Sequence, residues 1–288
     1  MHFTVQNVTD TNMKRFGLIG HPISHSLSPV LFKAAYEGKY PYDLIEGEDF
    51  EASYRKFLEE YQAINVTAPF KEMAFRKADI ATDECKAIGA ANILLKRDDG
   101  KILAANSDKM GVIAAVMAGL YPDRIIKPVT LIVGGGGAAK AAAYASGEIK
   151  HEVIIINRNF DRARDYAQRL NLEYGMNVTA RPMEDFCRYF RKAGVIIYTL
   201  PVPVPMLESL SGNDIRGNTF LRKENKVVVE ANYRDPAFTP EIKEKWMRIN
   251  PKLRFVGGEE WLLHQAVGAY LAFTHEEPDI EKMRMAIR

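Results

Sequence analysis

Short apolar runs recur through the first part of the chain and predict the strands of an α/β fold. The runs predicted as strands are Arg15–Gly20, Ala63–Thr67, Gly89–Leu95 and Ile102–Ala105. The last two flank a turn at Asp98-Asp99-Gly100 and therefore predict a hairpin. A loop at His21–Pro29, followed by a helix from about Val30 to Gly38, separates the first two strands.

The second part of the chain alternates between strands and helices in the way that a parallel sheet requires. An apolar helix is predicted from Lys109 to just before Tyr121-Pro122, and further helices at Ala138–Ala145 and from about Gly258 to the end. The predicted strands are Val129–Val133, Val153–Ile156, Val195–Tyr198 and Val227–Val229. These elements predict a Rossmann-like unit, and we expect the amphipathic C-terminal helices to fold back on the N-terminal part.

Composition and charge narrow the functional class. The chain has 288 residues, 47% of them hydrophobic and 26% charged, which is enough apolar material for a sizeable core. A formal net charge of +2 argues against a protein that binds nucleic acid by broad phosphate neutralisation, and it leaves room for a local basic site. We expect no nucleic-acid partner.

The expected location is cytoplasmic. Neither a signal-peptide pattern nor an apolar run of about 18 residues, as a membrane helix needs, is recognised. The two cysteines, Cys85 and Cys187, have no metal-ligand spacing, so they are interpreted as reduced thiols and no metal site is expected.

A glycine-rich loop follows the strand Val129–Val133 directly. Gly134, Gly136 and Ala139 fit the G-x-G-x-x-G/A pattern between a strand and a helix. Small residues let the backbone approach a pyrophosphate, and the N–H groups at the start of the helix favour its charge. The loop therefore predicts a dinucleotide site, whereas a flexible loop without function is the plainer alternative.

The end of the next strand indicates which dinucleotide is bound. An NAD site usually carries an acidic residue about 20 positions after the glycines. Here Asn157-Arg158-Asn159 stand there, and Arg162 follows one helical turn later. Because a guanidinium pairs with a 2′-phosphate and a carboxylate repels it, we predict NADP. The alternative is that both arginines lie on a solvated helix face.

Four segments place polar residues where a core would be apolar. They are Ser26-Leu27-Ser28, the run Asn65 to Lys71, the Asn92 position in GAANILL, and Asn106-Ser107-Asp108. Hydroxyls, amides, one lysine and one aspartate suit a small, oxygen-rich anion. Singly, each segment has a plainer interpretation as a helix cap, a turn residue or a surface charge.

Together these segments resemble the shikimate dehydrogenases of the shikimate/quinate dehydrogenase family. Gly20 to Pro29 (GHPISHSLSP) is similar to their opening motif, and Asn65 to Lys71 (NVTAPFK) to their lysine motif. Gly89 to Asn92 and Asn106 to Asp108 resemble their further substrate motifs, and the resemblance extends in order along nearly the whole chain. It implies hydride transfer between NADPH and 3-dehydroshikimate, giving shikimate, a step of aromatic amino acid (chorismate) biosynthesis.

The resemblance also implies the organisation and the roles of residues. A substrate domain would span residues 1–110, with helices 258–288 returning to it, and a Rossmann domain would span 111–257. Lys71 and Asp108 would be catalytic. The implied substrate contacts are Ser26, Ser28, Asn65, Thr67, Asn92, Tyr233 and Gln265. The implied NADP contacts are Gly134, Gly135, Gly136, Gly137, Ala138, Asn157, Arg158, Asn159, Arg162 and Gly258.

Three departures from the family pattern lie on the cofactor side. The segment Tyr198 to Pro205 replaces the usual glycine-methionine turn beside the nicotinamide, Glu230 replaces an aspartate, and Glu260-Trp261 replaces a Gly-Met pair. Two alternatives therefore stay open, namely a dehydrogenase of broader use acting on quinate and a catalytically inactive ligand-binding paralogue. A homodimer is a further open option.

Overall fold

The strands of the chain form two sheets. The computed structural model describes residues 14–120, 128–217 and 225–287, and within these ranges twelve strands divide into two sheets of six. The first sheet is mixed and has the order β2-β1-β3-β5-β6-β4. Its strands are β1 Phe16–Gly20, β2 Tyr42–Glu46, β3 Ala63–Val66, β4 Ile80–Ala81, β5 Ile93–Lys96 and β6 Ile102–Ala105.

The second sheet is parallel throughout and has the order β12-β11-β10-β7-β8-β9. Its strands are β7 Val129–Val133, β8 Glu152–Ile156, β9 Val178–Arg181, β10 Val195–Tyr198, β11 Lys226–Glu230 and β12 Leu253–Val256. The strand order reverses between β7 and β10, and ligands of open α/β sheets bind at such a switch point. The glycine loop follows β7 at this position.

Twelve helices cover the sheets in the described ranges. They are α1 Ser28–Ala35, α2 Phe50–Glu60, α3 Lys71–Lys77, α4 Asp83–Ile88, α5 Asp108–Leu120, α6 Gly137–Glu148, α7 Phe160–Tyr174, α8 Phe186–Lys192, α9 Gly212–Arg216, α10 Pro240–Ile249, α11 Gly258–Thr274 and α12 Ile280–Ala286. In the part of the chain that the structure describes, none of these helices is long and apolar enough to cross a bilayer.

The predicted fold class is confirmed, whereas several predicted boundaries are wrong. The first helix begins at Ser28 rather than Val30, because the chain enters it through the serine loop with Pro29 in its first turn. Gly89 ends α4 in the left-handed conformation, so the strand begins at Ile93 and Asn92 precedes it. Asp108 begins α5 instead of ending a strand.

The predicted end of the apolar helix, just before Tyr121-Pro122, borders residues outside the described ranges. The exact limits of the two domains stay a prediction.

Helix α11 connects the two halves of the chain. Its first part packs against α5, where Trp261 is buried beside Gly111. Its last part joins the core of the first sheet, and the rings of Phe273 and Phe16 stack with centroids 5.4 Å apart. The C-terminal helices are thereby packed against the N-terminal sheet.

Replacing Gly111 with alanine is expected to destabilise the fold. A Cβ at this position would lie 2.5 Å from both the carbonyl oxygen and Cδ1 of Trp261, so backbone must shift. Overpacking of this kind costs about 1–3 kcal/mol, more than the roughly 1 kcal/mol that alanine gains over glycine in a helix. Urea unfolding measures the difference. Gly212→Ala is the control, since its Cβ would meet nothing closer than 3.8 Å, and equal stability of both variants would contradict the prediction.

Candidate active site

The predicted catalytic pair is formed. The Lys71 Nζ lies 2.7 Å from Asp108 Oδ2, with 14% of the lysine side chain and 1% of the aspartate side chain exposed. Lys71 begins α3 and Asp108 begins α5, so two helix starts bring the charges together. Because water is largely excluded, the carboxylate orients the ammonium more strongly than it would at the surface.

A set of buried and partly buried hydrogen bonds fixes the turn before Asp108. The Asp108 backbone N–H donates to Asn106 Oδ1 (2.9 Å), and Asn106 Nδ2 donates to the Ala90 carbonyl (2.8 Å). Asn92 Oδ1 accepts from the Ser107 backbone N–H at 2.9 Å, and its Nδ2 donates to Ser107 Oγ at 3.1 Å. Asn92 is only 3% exposed, so its first role in this structure is to hold the turn that carries Asp108.

Asn65 and Thr67 stand beside this turn, at the carboxyl end of β3. Tyr42 of β2 donates its hydroxyl to Asn65 Oδ1 (2.8 Å), and Asn65 Nδ2 donates to the Asn92 carbonyl (3.2 Å). The Thr67 backbone N–H donates to the Ile19 carbonyl, which fixes the residue next to β1. Both side chains are partly exposed and therefore remain accessible to a ligand.

The two serines of the opening motif are close neighbours. Ser26 Oγ and Ser28 Oγ are 3.1 Å apart, and the Ser28 backbone N–H donates to Ser26 Oγ (3.2 Å). The Tyr270 hydroxyl of α11 donates to the Ser28 carbonyl at 3.0 Å, so the C-terminal helix holds the loop. The structure thus places two partly exposed hydroxyls side by side.

The glycine loop lies directly against the lysine. Gly134 has φ +133°, which disfavours other residues, and its N–H donates to the Ile156 carbonyl at 2.9 Å. A Cβ on Gly137 would meet Lys71 Cδ at 3.2 Å and the Cβ of Ala90 at 3.3 Å. The loop therefore brings the start of α6 to the Lys71–Asp108 pair, while Gly136 borders open space and Ala138 is partly exposed.

The residues predicted to contact a 2′-phosphate follow β8. Arg158 is exposed and makes no hydrogen bond or ion pair with any residue of the described ranges. Asn157 Nδ2 donates to the Asn159 carbonyl at 3.1 Å, and Asn159 Oδ1 caps α7 by accepting from the Arg162 backbone N–H at 3.0 Å. Arg162 differs from the expectation, because its guanidinium is already paired with Glu72 of α3.

The remaining predicted contacts come from the C-terminal part of the chain. Tyr233 follows β11 and Gln265 lies in α11, and both side chains are partly exposed. Gly258 is buried, and a Cβ there would meet the Ala231 carbonyl oxygen at 2.6 Å and the Tyr233 nitrogen at 2.8 Å. The absence of a side chain at Gly258 thus allows the start of α11 to pack directly against the backbone of Ala231 and Tyr233.

The three departures from the family pattern are each accommodated by packing. Tyr198 is fully buried and donates its hydroxyl to the Val202 carbonyl at 2.6 Å, which folds the unusual loop back on β10. Burial raises the pKa of Glu230, whose carboxylate accepts N–H bonds from Ala237 and Phe238. Trp261 fills the space beside Gly111.

Glu260 contributes a further contact between the C-terminal helices. Its carboxylate accepts from Arg284 Nη1 of α12 at 2.7 Å, and this guanidinium lowers the pKa of Glu260. His264 Nε2 lies 3.0 Å from the same carboxylate.

Sequence reasoning missed four residues beside the site, namely Tyr42, Glu72, Lys140 and Tyr270. Tyr42 lies in the edge strand Tyr42–Glu46 (YDLIE), whose mixed apolar and polar residues give no clear signal of a strand. The other three act through side-chain pairing between distant elements, which no local pattern encodes. Between residues 14 and 287, outside the two gaps, no cluster of three or more His, Cys, Asp or Glu could hold a metal ion.

Comparison with known proteins gives a consistent family relationship. The family model described as "Shikimate dehydrogenase substrate binding domain" matches residues 18–94. A curated NADP(+)-type shikimate dehydrogenase of Thermus thermophilus is 31% identical over 281 residues, which cover 96% of this chain and 98% of that protein. The chain also matches one part of the pentafunctional AROM polypeptide of Eremothecium gossypii, with 28% identity over 91% of this chain and 17% of that longer protein.

Solved structures agree with the sequence relatives. The shikimate 5-dehydrogenase of Thermus thermophilus in complex with NADP(H) and shikimate superposes with a TM-score of 0.73 and 28% identity. The match covers 95% of this chain and 98% of that one. The similarity therefore extends over both sheets and the returning helices.

Proposed function

The chain belongs to the shikimate dehydrogenase family, and we propose that it catalyses the reversible reduction of 3-dehydroshikimate to shikimate by NADPH, in the chorismate route to aromatic amino acids. The observation that carries the proposal is the Lys71–Asp108 ion pair, 2.7 Å long, against the glycine loop at Gly137. An acid–base pair beside a dinucleotide loop is the arrangement that reduction of a ketone requires.

The residues of the second sheet fit NADP. The loop at residues 134–137 leads into α6, which has twelve residues, and a Cβ at Gly136 would meet nothing within 4 Å, so a pyrophosphate has access to the backbone there. The Arg158 guanidinium has no partner among the described residues and stands next to the end of β8, where a 2′-phosphate would lie. When bound, the cofactor supplies the hydride.

Lys71 then acts on the substrate oxygen. As hydride reaches the ketone carbon, negative charge grows on the carbonyl oxygen, and the Lys71 ammonium both offsets that charge and donates a proton to it. In the reverse direction the neutral amine accepts the proton from the hydroxyl. Asp108 holds Nζ at 2.7 Å and so keeps the lysine in one orientation throughout.

The first sheet supplies the polar contacts of the substrate. We propose that Ser26 and Ser28 donate to its carboxylate. Its ring hydroxyls would contact Asn65, Thr67 and Asn92. Tyr233 and Gln265 would supply further contacts from the C-terminal part of the chain. The partly exposed hydroxyls of the serine pair, 3.1 Å apart, suit the two oxygens of a carboxylate.

A cytoplasmic location and a homodimer are further proposals. The two cysteines are free, and Cys85 is buried, which raises the pKa of its thiol to about 12 and makes it unreactive. Free thiols are the usual state in a reducing compartment.

A spectrophotometric assay of cofactor reduction tests the proposal. Purified protein is given shikimate or quinate with NADP or NAD, and kcat/KM is determined for all four combinations. We expect shikimate with NADP to give the highest value. A higher value with quinate would instead assign the broader quinate activity, and absence of turnover with every pair, in protein that still binds shikimate, would assign a ligand-binding paralogue.

The double variant Ser26→Ala/Ser28→Ala is expected to raise KM for shikimate about 10- to 50-fold. A charge-assisted hydrogen bond contributes roughly 1.5–3 kcal/mol, and water at this partly exposed loop replaces some of it. The Kd for NADP should stay within about twofold of wild type, since the two serines hydrogen-bond to each other and to Tyr270 of α11. Steady-state kinetics and a cofactor titration measure both. An unchanged KM would place the carboxylate elsewhere.

A further inference from the structure

The Glu72 carboxylate of α3 contacts two helices that cover the second sheet. Glu72 directly follows Lys71 in α3, and its Oε1 accepts from Arg162 Nη2 of α7 and lies 3.1 Å from Lys140 Nζ of α6. Only 23% of the Glu72 side chain is exposed, so this is a partly buried ion pair between the two halves of the molecule.

The two cations that Glu72 contacts lie beside the predicted glycine loop. Lys140 and Arg162 line the same narrow depression as Gly135 and Asn157, at the mouth of the glycine loop. Arg162 lies one turn after Arg158, and its guanidinium is half exposed while Lys140 is 15% exposed. A phosphate entering between Arg158 and Arg162 therefore approaches the Glu72 carboxylate.

The local charge balance shows what Glu72 does when no cofactor is bound. Burial lowers the pKa of Lys140, the Glu72 carboxylate acts to raise it, and the nearby guanidiniums lower it further. In the free protein, the Glu72 carboxylate thus offsets the positive charges of Lys140 and Arg162. A 2′-phosphate, with a charge near −2, would compete with the Glu72 carboxylate for the same guanidinium.

We propose that Glu72 is a specificity-determining residue for the cofactor, whose carboxylate competes with the 2′-phosphate of NADP for the Arg162 guanidinium. The inference rests on the proposed NADP-dependent function. It follows that Glu72 weakens NADP binding without affecting NAD, which carries no phosphate there, and that NADP binding separates Glu72 from Arg162.

The test is a cofactor titration of Glu72→Gln. The glutamine keeps the size of the side chain and removes its charge. We expect the Kd for NADP to fall about three- to tenfold, as partly exposed ion pairs allow, and the Kd for NAD to stay within about twofold. The NADP effect should shrink as salt rises, because the site is partly open to solvent.

A double-mutant cycle identifies the partner. In an Arg162→Gln background, the same Glu72→Gln change should leave the NADP Kd within about twofold, because the shared cation is gone. Glu51→Gln is the matched control, since Glu51 of α2 pairs with Lys77 of α3 at 2.7 Å, on an exposed surface. It should change neither Kd.

The outcomes separate this proposal from the function on which it rests. If wild type prefers NADP but Glu72→Gln leaves its Kd unchanged, or weakens NADP and NAD alike, Glu72 is a structural residue and the competition is overturned. Weaker NADP binding with unchanged NAD would likewise overturn it, because Glu72 would then position Arg162 for the phosphate. A wild type that binds NADP no better than NAD would overturn both this proposal and the proposed cofactor.

Discussion

Replacing Lys71 with alanine is expected to lower kcat for shikimate oxidation by about 10²-fold or more. General acid–base catalysis contributes roughly 10²- to 10⁴-fold, and here the same group also supplies the charge that meets the developing alkoxide. The Kd for shikimate should change less than kcat, because the serine pair and the amides remain. Steady-state kinetics and equilibrium binding give the two values separately.

The control for this variant lies on the same helix. Lys77→Ala removes an exposed lysine that pairs with Glu51, and its kcat should match wild type. Because the Lys71 variant leaves Asp108 buried without its counter-charge, thermal unfolding must show that the protein is folded at the assay temperature. Asp108→Asn should also lower kcat, since it releases the ammonium. A folded Lys71→Ala protein with near-normal kcat would remove the lysine from the mechanism.

The second large effect is expected on cofactor choice. Arg158→Asp replaces an exposed guanidinium with a carboxylate after the end of β8, so one attraction is lost and one repulsion gained. Charge-assisted hydrogen bonds from Arg158 to the 2′-phosphate would together contribute several kcal/mol, but solvent exposure reduces this contribution. We therefore expect the ratio of kcat/KM for NADP to kcat/KM for NAD to fall by roughly 10²-fold. The effect should shrink as salt rises.

Arg164→Asp provides the same charge change six residues further along the chain, on α7. Arg164 is exposed and pairs with Asp161 at 2.8 Å, so its substitution should leave the NADP to NAD ratio within about twofold. Measuring the NADP to NAD ratio of both variants at two salt concentrations separates a local contact with the phosphate from a long-range effect of the changed net charge. A ratio that Arg158→Asp leaves unchanged would mean that the cofactor site has been rebuilt together with the 198–205 loop.

The strands that the sequence predicted are the inner ones. Eight apolar runs correspond to eight strands, and the four that were missed are β2, β4, β9 and β12, which form the edges of the two sheets. An inner strand is covered on both sides and therefore becomes a continuous apolar run, as in the fully buried Phe16–Gly20. Edge strands such as Tyr42–Glu46 are only partly buried, and their mixed pattern does not stand out.

In the candidate site, features that are contiguous in the chain could be predicted, whereas contacts between residues far apart in the chain could not. The glycine loop could be predicted because a strand, small residues and a helix are contiguous in the chain. The pairing of Glu72 with Arg162 could not, since the two lie 90 residues apart and only the tertiary fold brings their side chains together. The fit of Trp261 beside Gly111 is likewise a tertiary property, although each residue is visible in the sequence.

The stoichiometry of the forward reaction tests the central claim most directly. Wild-type protein and Lys71→Ala are incubated with 3-dehydroshikimate and NADPH, and consumed NADPH is compared with shikimate separated by chromatography. We expect wild type to form one shikimate for each NADPH consumed, and the Lys71 variant to form about 10²-fold less in the same time. Consumption of NADPH without shikimate, or equal rates in the two proteins, would contradict reduction of 3-dehydroshikimate at the Lys71–Asp108 pair.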